Sequence, residues 1–210
     1  EMTSSLVGSE MCIRDSPNSS PKEREKQICM NDYKYVDLIL GKQCQTKMGR
    51  GGIRPLEFKT FSKEMQNAIT NYCQAGGNFF VSGAYVASDL WDNRLVKANE
   101  EDKKFAMEVL KYKWRVGQAA RNGKVKSVAS PFPEITGSYT YYQDLNPESY
   151  VVESPDALEP AAQGAFTILR YSENNLSAGI AYKGNYKTCV LGFPFEAIRT
   201  VLSLIHISEP

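Results

Sequence analysis

Two apolar runs separated by one amphipathic helix set the terms for this fold. Tyr35-Val36-Asp37-Leu38-Ile39-Leu40 ends at Gly41 and reads as a buried strand. Ser62 stands where a helix N-cap belongs, with Glu64 in the first turn. Met65, Ala68, Ile69, Tyr72 and Cys73 then recur on one helical face, and Gly76-Gly77 ends the helix. Asn78-Phe79-Phe80-Val81-Ser82-Gly83 follows as a second strand. Strand, helix and strand with tight connections predict a βαβ unit, and with it a parallel sheet.

The segments around this unit are less regular. Residues 17–32 are polar and read as linker or frayed helix. Residues 42–59 read as a long basic loop containing Gly49, Gly51 and Gly52. A P-loop would run directly into a helix, whereas this segment wanders on through Pro55. Residues 84–91 suggest a short helix. Glu100–Tyr112 carries Phe105, Ala106, Val109 and Leu110 on one face of another. Asn122-Gly123 predicts a hairpin joining 114–120 to 125–129. Runs 165–171 and 176–182 flank Asn174-Asn175, and Gly184-Asn185 marks a further turn. Cys189–Phe193 is apolar throughout, as a central strand requires, and Pro194 is placed to open a final helix.

The two ends of the chain share an origin. Leu202–Pro210 can be encoded by CTG TCT CTT ATA CAC ATC TCC GAG CCC. The opposite strand of that DNA, slightly extended and read in another frame, encodes Leu6–Ser16. The element resembles a transposase-type sequencing adapter, so residues 1–16 and 201–210 are set aside from the fold. The expected domain is 33–200, a gene fragment truncated within its last helix.

Charge and residue counts narrow the chemistry. Lys and Arg number 25 against 24 Asp and Glu. Without Glu1, Glu10, Arg14, Asp15 and Glu209 the balance is about +4, too mild to imply a nucleic-acid partner. No apolar run is long enough to span a membrane. Cys29, Cys44, Cys73 and Cys189 form no CxxC spacing, and Cys73 and Cys189 read as small buried hydrophobes. The single histidine, His206, lies in the adapter-like tail. That removes histidine-based triads and metal sites from 17–200, and no metal or cofactor is expected.

Gly83-Ala84-Tyr85-Val86-Ala87 follows a strand and precedes a helix, which is where a nucleophile elbow stands. Tyr85 occupies the nucleophile position. A phenol with a pKa near 10 is a poor nucleophile without a strong neighbouring base. Two functions are therefore open. One is a non-catalytic module that assembles or binds ligand through Tyr85, Ser88, Asp89 and Trp91 at the carboxyl edge of the sheet. The other is a lyase or hydrolase site there, with Tyr85 and Arg115 as candidate catalytic groups. Glu148, Glu153, Asp156 and Glu159 read as a solvated loop. Tyr139, Tyr141 and Tyr142, with Trp91, Trp114 and Tyr150, are aromatic enough for sugar stacking.

The segments 35–41, 76–91, 111–117, 145–155, 170–182 and 188–198 together resemble a domain of bacterial proteins labelled xanthan lyase. These are multidomain proteins of gut and oral Bacteroidetes, some with a golvesin-like C-terminal domain. The resemblance spans nearly all of 33–198. It implies a class I glutamine amidotransferase-like, flavodoxin-like α/β fold: a mostly parallel sheet flanked by helices, with β-hairpin additions. It also implies a periplasmic or extracellular location, other domains of the parent chain as partners, and acidic polysaccharide as a ligand class.

Overall fold

The strand–helix–strand unit is present. In this computed structural model the described residues are 12–13, 28–48, 56–91, 99–132, 135–144 and 149–199, with backbone alone for 12–13, 28, 46–48 and 56–58. β1 (Cys12–Ile13) pairs with β2 (Ile28–Cys29), and a 3-10 turn at Met30–Asp32 leads to β3 (Tyr35–Gly41). Met30 is buried in the core, so part of the expected linker belongs to the fold. The expected basic loop contains an antiparallel pair, β4 (Thr46–Met48) and β5 (Leu56–Phe58). Gly49, Gly51 and Gly52 lie outside the described residues.

Helix α1 (Lys63–Gln74) begins as its sequence dictates. The Ser62 hydroxyl accepts from the Met65 amide at 3.2 Å. Ile69, Tyr72 and Cys73 face the core. The Tyr72 ring lies so close to Gly77 that an added Cβ would sit 2.3 Å from it, which is why the helix must end on glycine before β6 (Asn78–Gly83). Ser62→Ala should lower stability by about 1 kcal/mol in urea titration. An unchanged midpoint would show that the cap contributes nothing.

The expectation of a mostly parallel sheet is corrected. After α2 (Ser88–Trp91) and α3 (Glu100–Phe105) come β7 (Tyr112–Val116), β8 (Lys124–Ser127), β9 (Ser138–Thr140) and β10 (Ala157–Pro160). β11 (Ala165–Tyr171), β12 (Ser177–Lys183) and β13 (Lys187–Leu191) complete the series. The main sheet has seven strands in the order β3-β6-β13-β12-β11-β8-β9. Only β3, β6 and β13 run parallel to one another; the other pairings are antiparallel. The cause is local: tight turns at Ser172–Asn175 and Gly184–Tyr186 fold successive strands back on themselves, and a tight turn makes only antiparallel neighbours. The fold is α/β, with a short parallel block joined to an antiparallel half.

Two further expectations change. Asn122-Gly123 makes a turn, with Gly123 at φ +62°, but not a hairpin between 114–120 and 125–129. β7 instead pairs with β10, and β8 with β9 and β11. The Glu173 carboxylate holds the Arg121 and Asn122 amides and so redirects the chain. The helix expected to reach Tyr112 widens into a π-helical turn over Ala106–Leu110 and stops at Lys111, at φ +66°. Tyr112 instead begins a strand paired with β10, and its hydroxyl donates to the Val86 carbonyl at 2.6 Å.

The sheet separates two apolar layers. Val36, Leu38, Phe79, Val81 and Val190 face α1 and α3. On the other side, Phe80 and Leu191 face Phe193, Tyr141 and Val152. Among the described residues no helix is long and apolar enough to cross a membrane.

Candidate functional site

The carboxyl ends of the three parallel strands come together at Gly41, Gly83 and Gly192. β3 passes through Gly41 at φ +57° into Lys42 and Gln43, and the Ala84 amide donates to the Gly41 carbonyl at 2.9 Å. The turn at residues 84–87 carries Tyr85 away from the sheet, and the Asp89 amide donates back to the Tyr85 carbonyl at 3.2 Å. β13 runs through Gly192 and Phe193 to Pro194 and a 3-10 turn at Phe195–Ala197, shorter than the expected helix.

Tyr85 is half-buried against the apolar layer that contains Phe193. Burial raises the pKa of its phenol. The charge of Cys44 adds to the shift, and a hydrogen bond with the Ser154 side chain opposes it. Glu153 and Lys42 act more weakly, in opposite senses. Lys42 and Glu153 pair with each other at 3.1 Å, and the Lys42 ammonium lies 5.9 Å from the Tyr150 ring centroid. The Tyr150 hydroxyl donates to the Glu196 carboxylate. The rim of the turn is thus a polar strip of one cation, two carboxylates and two phenols.

Below Tyr85 lies a group that sequence patterning misses. Asp156 is fully buried, and one carboxylate oxygen accepts from the amides of Ala87 and Ser88, at 2.8 and 2.7 Å, and from the Ser88 hydroxyl at 3.1 Å. Burial pushes its pKa up to about 7, against the pull of these donors and of the Trp114 indole. The geometry keeps that indole contact weak: neither the Trp114 Nε1 nor the second Asp156 oxygen has a hydrogen-bond partner among the described residues. A Pro-Asp pair in a polar stretch reads as an exposed turn. Burial at Asp156 follows from its amide donating to the Gly192 carbonyl at 2.6 Å, and from the Tyr171 hydroxyl donating to its own carbonyl at 2.7 Å.

The residues expected to bind ligand divide. Ser88 is turned inward onto Asp156. Asp89 is also buried, its carboxylate accepting from the Gln45 and Thr60 amides at 2.6 and 3.0 Å. Neither lines an open site. Trp91 stacks at a tilt on Tyr112, with ring centroids 6.0 Å apart. Arg115 lies on the β7–β10 ribbon, where it and Lys113 pair with Glu159. It is not among the groups that act on Tyr85. Tyr139 and Tyr141 are buried, and Tyr141 stacks on Phe193 at 5.1 Å, so these two rings are core and not a sugar platform. Of the acidic stretch, Glu148 lies outside the described residues. Glu153 is exposed and pairs with Lys42, whereas Glu159 lies on β10 and Asp156 is interior, so the solvated-loop reading fails at Asp156 and Glu159. Lys42 and Ser154 are the additions that the structure makes to the site.

The Cys73 and Cys189 thiols behave as apolar groups, since desolvation pushes both up to about 12. Among the described residues no cluster of three or more His, Cys, Asp or Glu could hold a metal ion. No family model and no curated protein matches the chain.

Proposed function

We propose that this domain is a non-catalytic α/β module of a larger exported, carbohydrate-related protein, built on a class I amidotransferase-like scaffold and serving assembly or ligand binding. One observation carries the reading. In a nucleophile elbow the amide of the residue after the nucleophile, here Val86, meets substrate charge, and the amides that follow it begin the helix. Here the Ala87 and Ser88 amides are occupied by the chain's own carboxylate, Asp156. The helix start behind Tyr85 is thus filled from within. Tyr85 supports the same reading, because burial moves its phenol away from the ionised form that a base or nucleophile needs.

A lyase or hydrolase site around Tyr85 is the second reading, favoured by the Lys42–Glu153 pair at its rim. A cation beside a phenol is the minimum that β-elimination from a uronic acid would require, and Lys42 would take the part that sequence considerations gave to Arg115. Acidic polysaccharide is the ligand class that suits either reading. Kinetics on the parent protein separate the two. With acidic polysaccharide as substrate, Tyr85→Phe should leave kcat within about twofold, whereas loss of a general base costs about a hundredfold or more. A drop of that size with an unchanged circular-dichroism spectrum overturns the non-catalytic reading.

A further inference from the structure

On the side of the parallel block opposite α1 and α3, the described residues leave the β3 edge open, while Ser82 and Leu191 farther along the strands are covered. Residues paired across neighbouring strands point to the same side, so Tyr35, Asp37 and Ile39 of β3 stand beside Asn78, Phe80 and Ser82 of β6. Cys189 and Phe166 continue the row of Phe80. Tyr35 is 55 % exposed, Ile39 54 % and Phe166 39 %, although the opposite side of the same strands is covered by α1 and α3. Parallel strands are ordinarily covered on both faces, and contiguous exposed apolar surface marks an interaction site.

The open face has relief. Tyr35 and Ile39 protrude at the β3 edge. Next to them, beginning at Phe80, lies an apolar groove lined also by Cys189, Leu169, Phe195, Ile198 and Tyr139. It also has both signs of charge. Asp37 lies between the two protruding side chains, and Lys187 and Lys183 occupy the row of Tyr35 on β13 and β12, both exposed. An isologous contact requires one surface to hold both halves of every interaction. A helix from elsewhere could fill the groove, but it would not account for the protrusion, the acid and the lysine corner lying on the same face.

We infer that this face joins two copies of the chain about a two-fold axis, with Tyr35 and Ile39 of each copy seated in the groove of the other and Asp37 of each facing the partner's Lys187. Packing is sheet on sheet. Strands about 4.8 Å apart place Asp37 and Lys187 two strands from each other, leaving room for an axis between them.

Sedimentation velocity of the full chain from about 1 to 200 μM tests this, because a standard interface gives a dimer within that range. Ile39→Glu should yield a monomer with an unchanged circular-dichroism spectrum, and Tyr35→Ser should weaken the dimer at least about tenfold. Asp37→Lys should weaken it similarly, and adding Lys187→Asp should restore it. A monomer at every concentration overturns the proposal. A dimer indifferent to Ile39→Glu and to the charge exchange overturns it equally.

Discussion

Gly192→Ala should lose about 3–5 kcal/mol of stability, enough to bring a typical domain close to its unfolding midpoint. A Cβ built at Gly192 stands 2.0 Å from the Asp156 carbonyl oxygen and 2.9 Å from its carbonyl carbon. Both are backbone atoms, so no rotamer change relieves the contact. The strands must part, and that breaks the Asp156 amide bond to the Gly192 carbonyl. It also disturbs the Tyr171 hydroxyl, which lies between the carbonyls of Asp156 and Gly192 at 2.7 and 3.3 Å. Each buried group left without a partner costs about 1–3 kcal/mol. Thermal unfolding should show Tm lower by about 10 °C or more. A shift of only a degree or two would mean that β13 and the 149–157 segment are not held together here.

Asp156→Ala is the second large effect, and pH makes it diagnostic. Alanine leaves the Ala87 and Ser88 amides and the Ser88 hydroxyl without their acceptor, for a loss of about 3–5 kcal/mol. The sign of the pH dependence follows from the raised pKa. Folded, the carboxyl titrates near 7; unfolded, it titrates near 3.8. The folded state therefore keeps a proton that the unfolded chain releases between those values. Stability falls as pH rises from about 4 to about 7, by up to about 4 kcal/mol, and is level above that. Asp156→Asn removes the slope. Its amide turns a donor toward the Trp114 indole N–H, so at pH 5 the variant should be less stable than the parent. Above pH 7 the gap should narrow. Urea titrations at pH 5 and pH 8 read both effects, and parallel pH profiles for parent and Asn variant would rule out Asp156 as the titrating group.

These two residues also mark how far the primary structure could be read. The βαβ core was legible because every level agrees there: β-branched strands, a Ser62 cap, an apolar helical face, and a glycine stop that the Tyr72 ring enforces. The β11–β12 and β12–β13 turns were legible for the same reason. The partner of β7 was not, because Asn122-Gly123 specifies a turn without specifying which strands flank it. Glu173, about fifty residues away, makes that choice. The sheet's parallel character was overestimated because one βαβ unit says nothing about strands that follow by tight turns.

The candidate site divides in the same way. Tyr85 at a strand-to-helix turn is a local property, set by Gly83 and the short α2 that follows, and the chain alone determined it. The lack of a histidine between residues 17 and 200 is likewise a fact of composition. Only the tertiary structure decided what surrounds Tyr85. Lys42 comes from the end of β3, Ser154 and Glu153 from the segment before β10, and Asp156 from beneath the turn. The physical reason is range. Capping, periodicity and turn chemistry act over a few residues. The burial that moves Asp156 toward neutrality and brings it to the Ala87 and Ser88 amides depends on contacts made by Gly192 and Tyr171 across the whole domain.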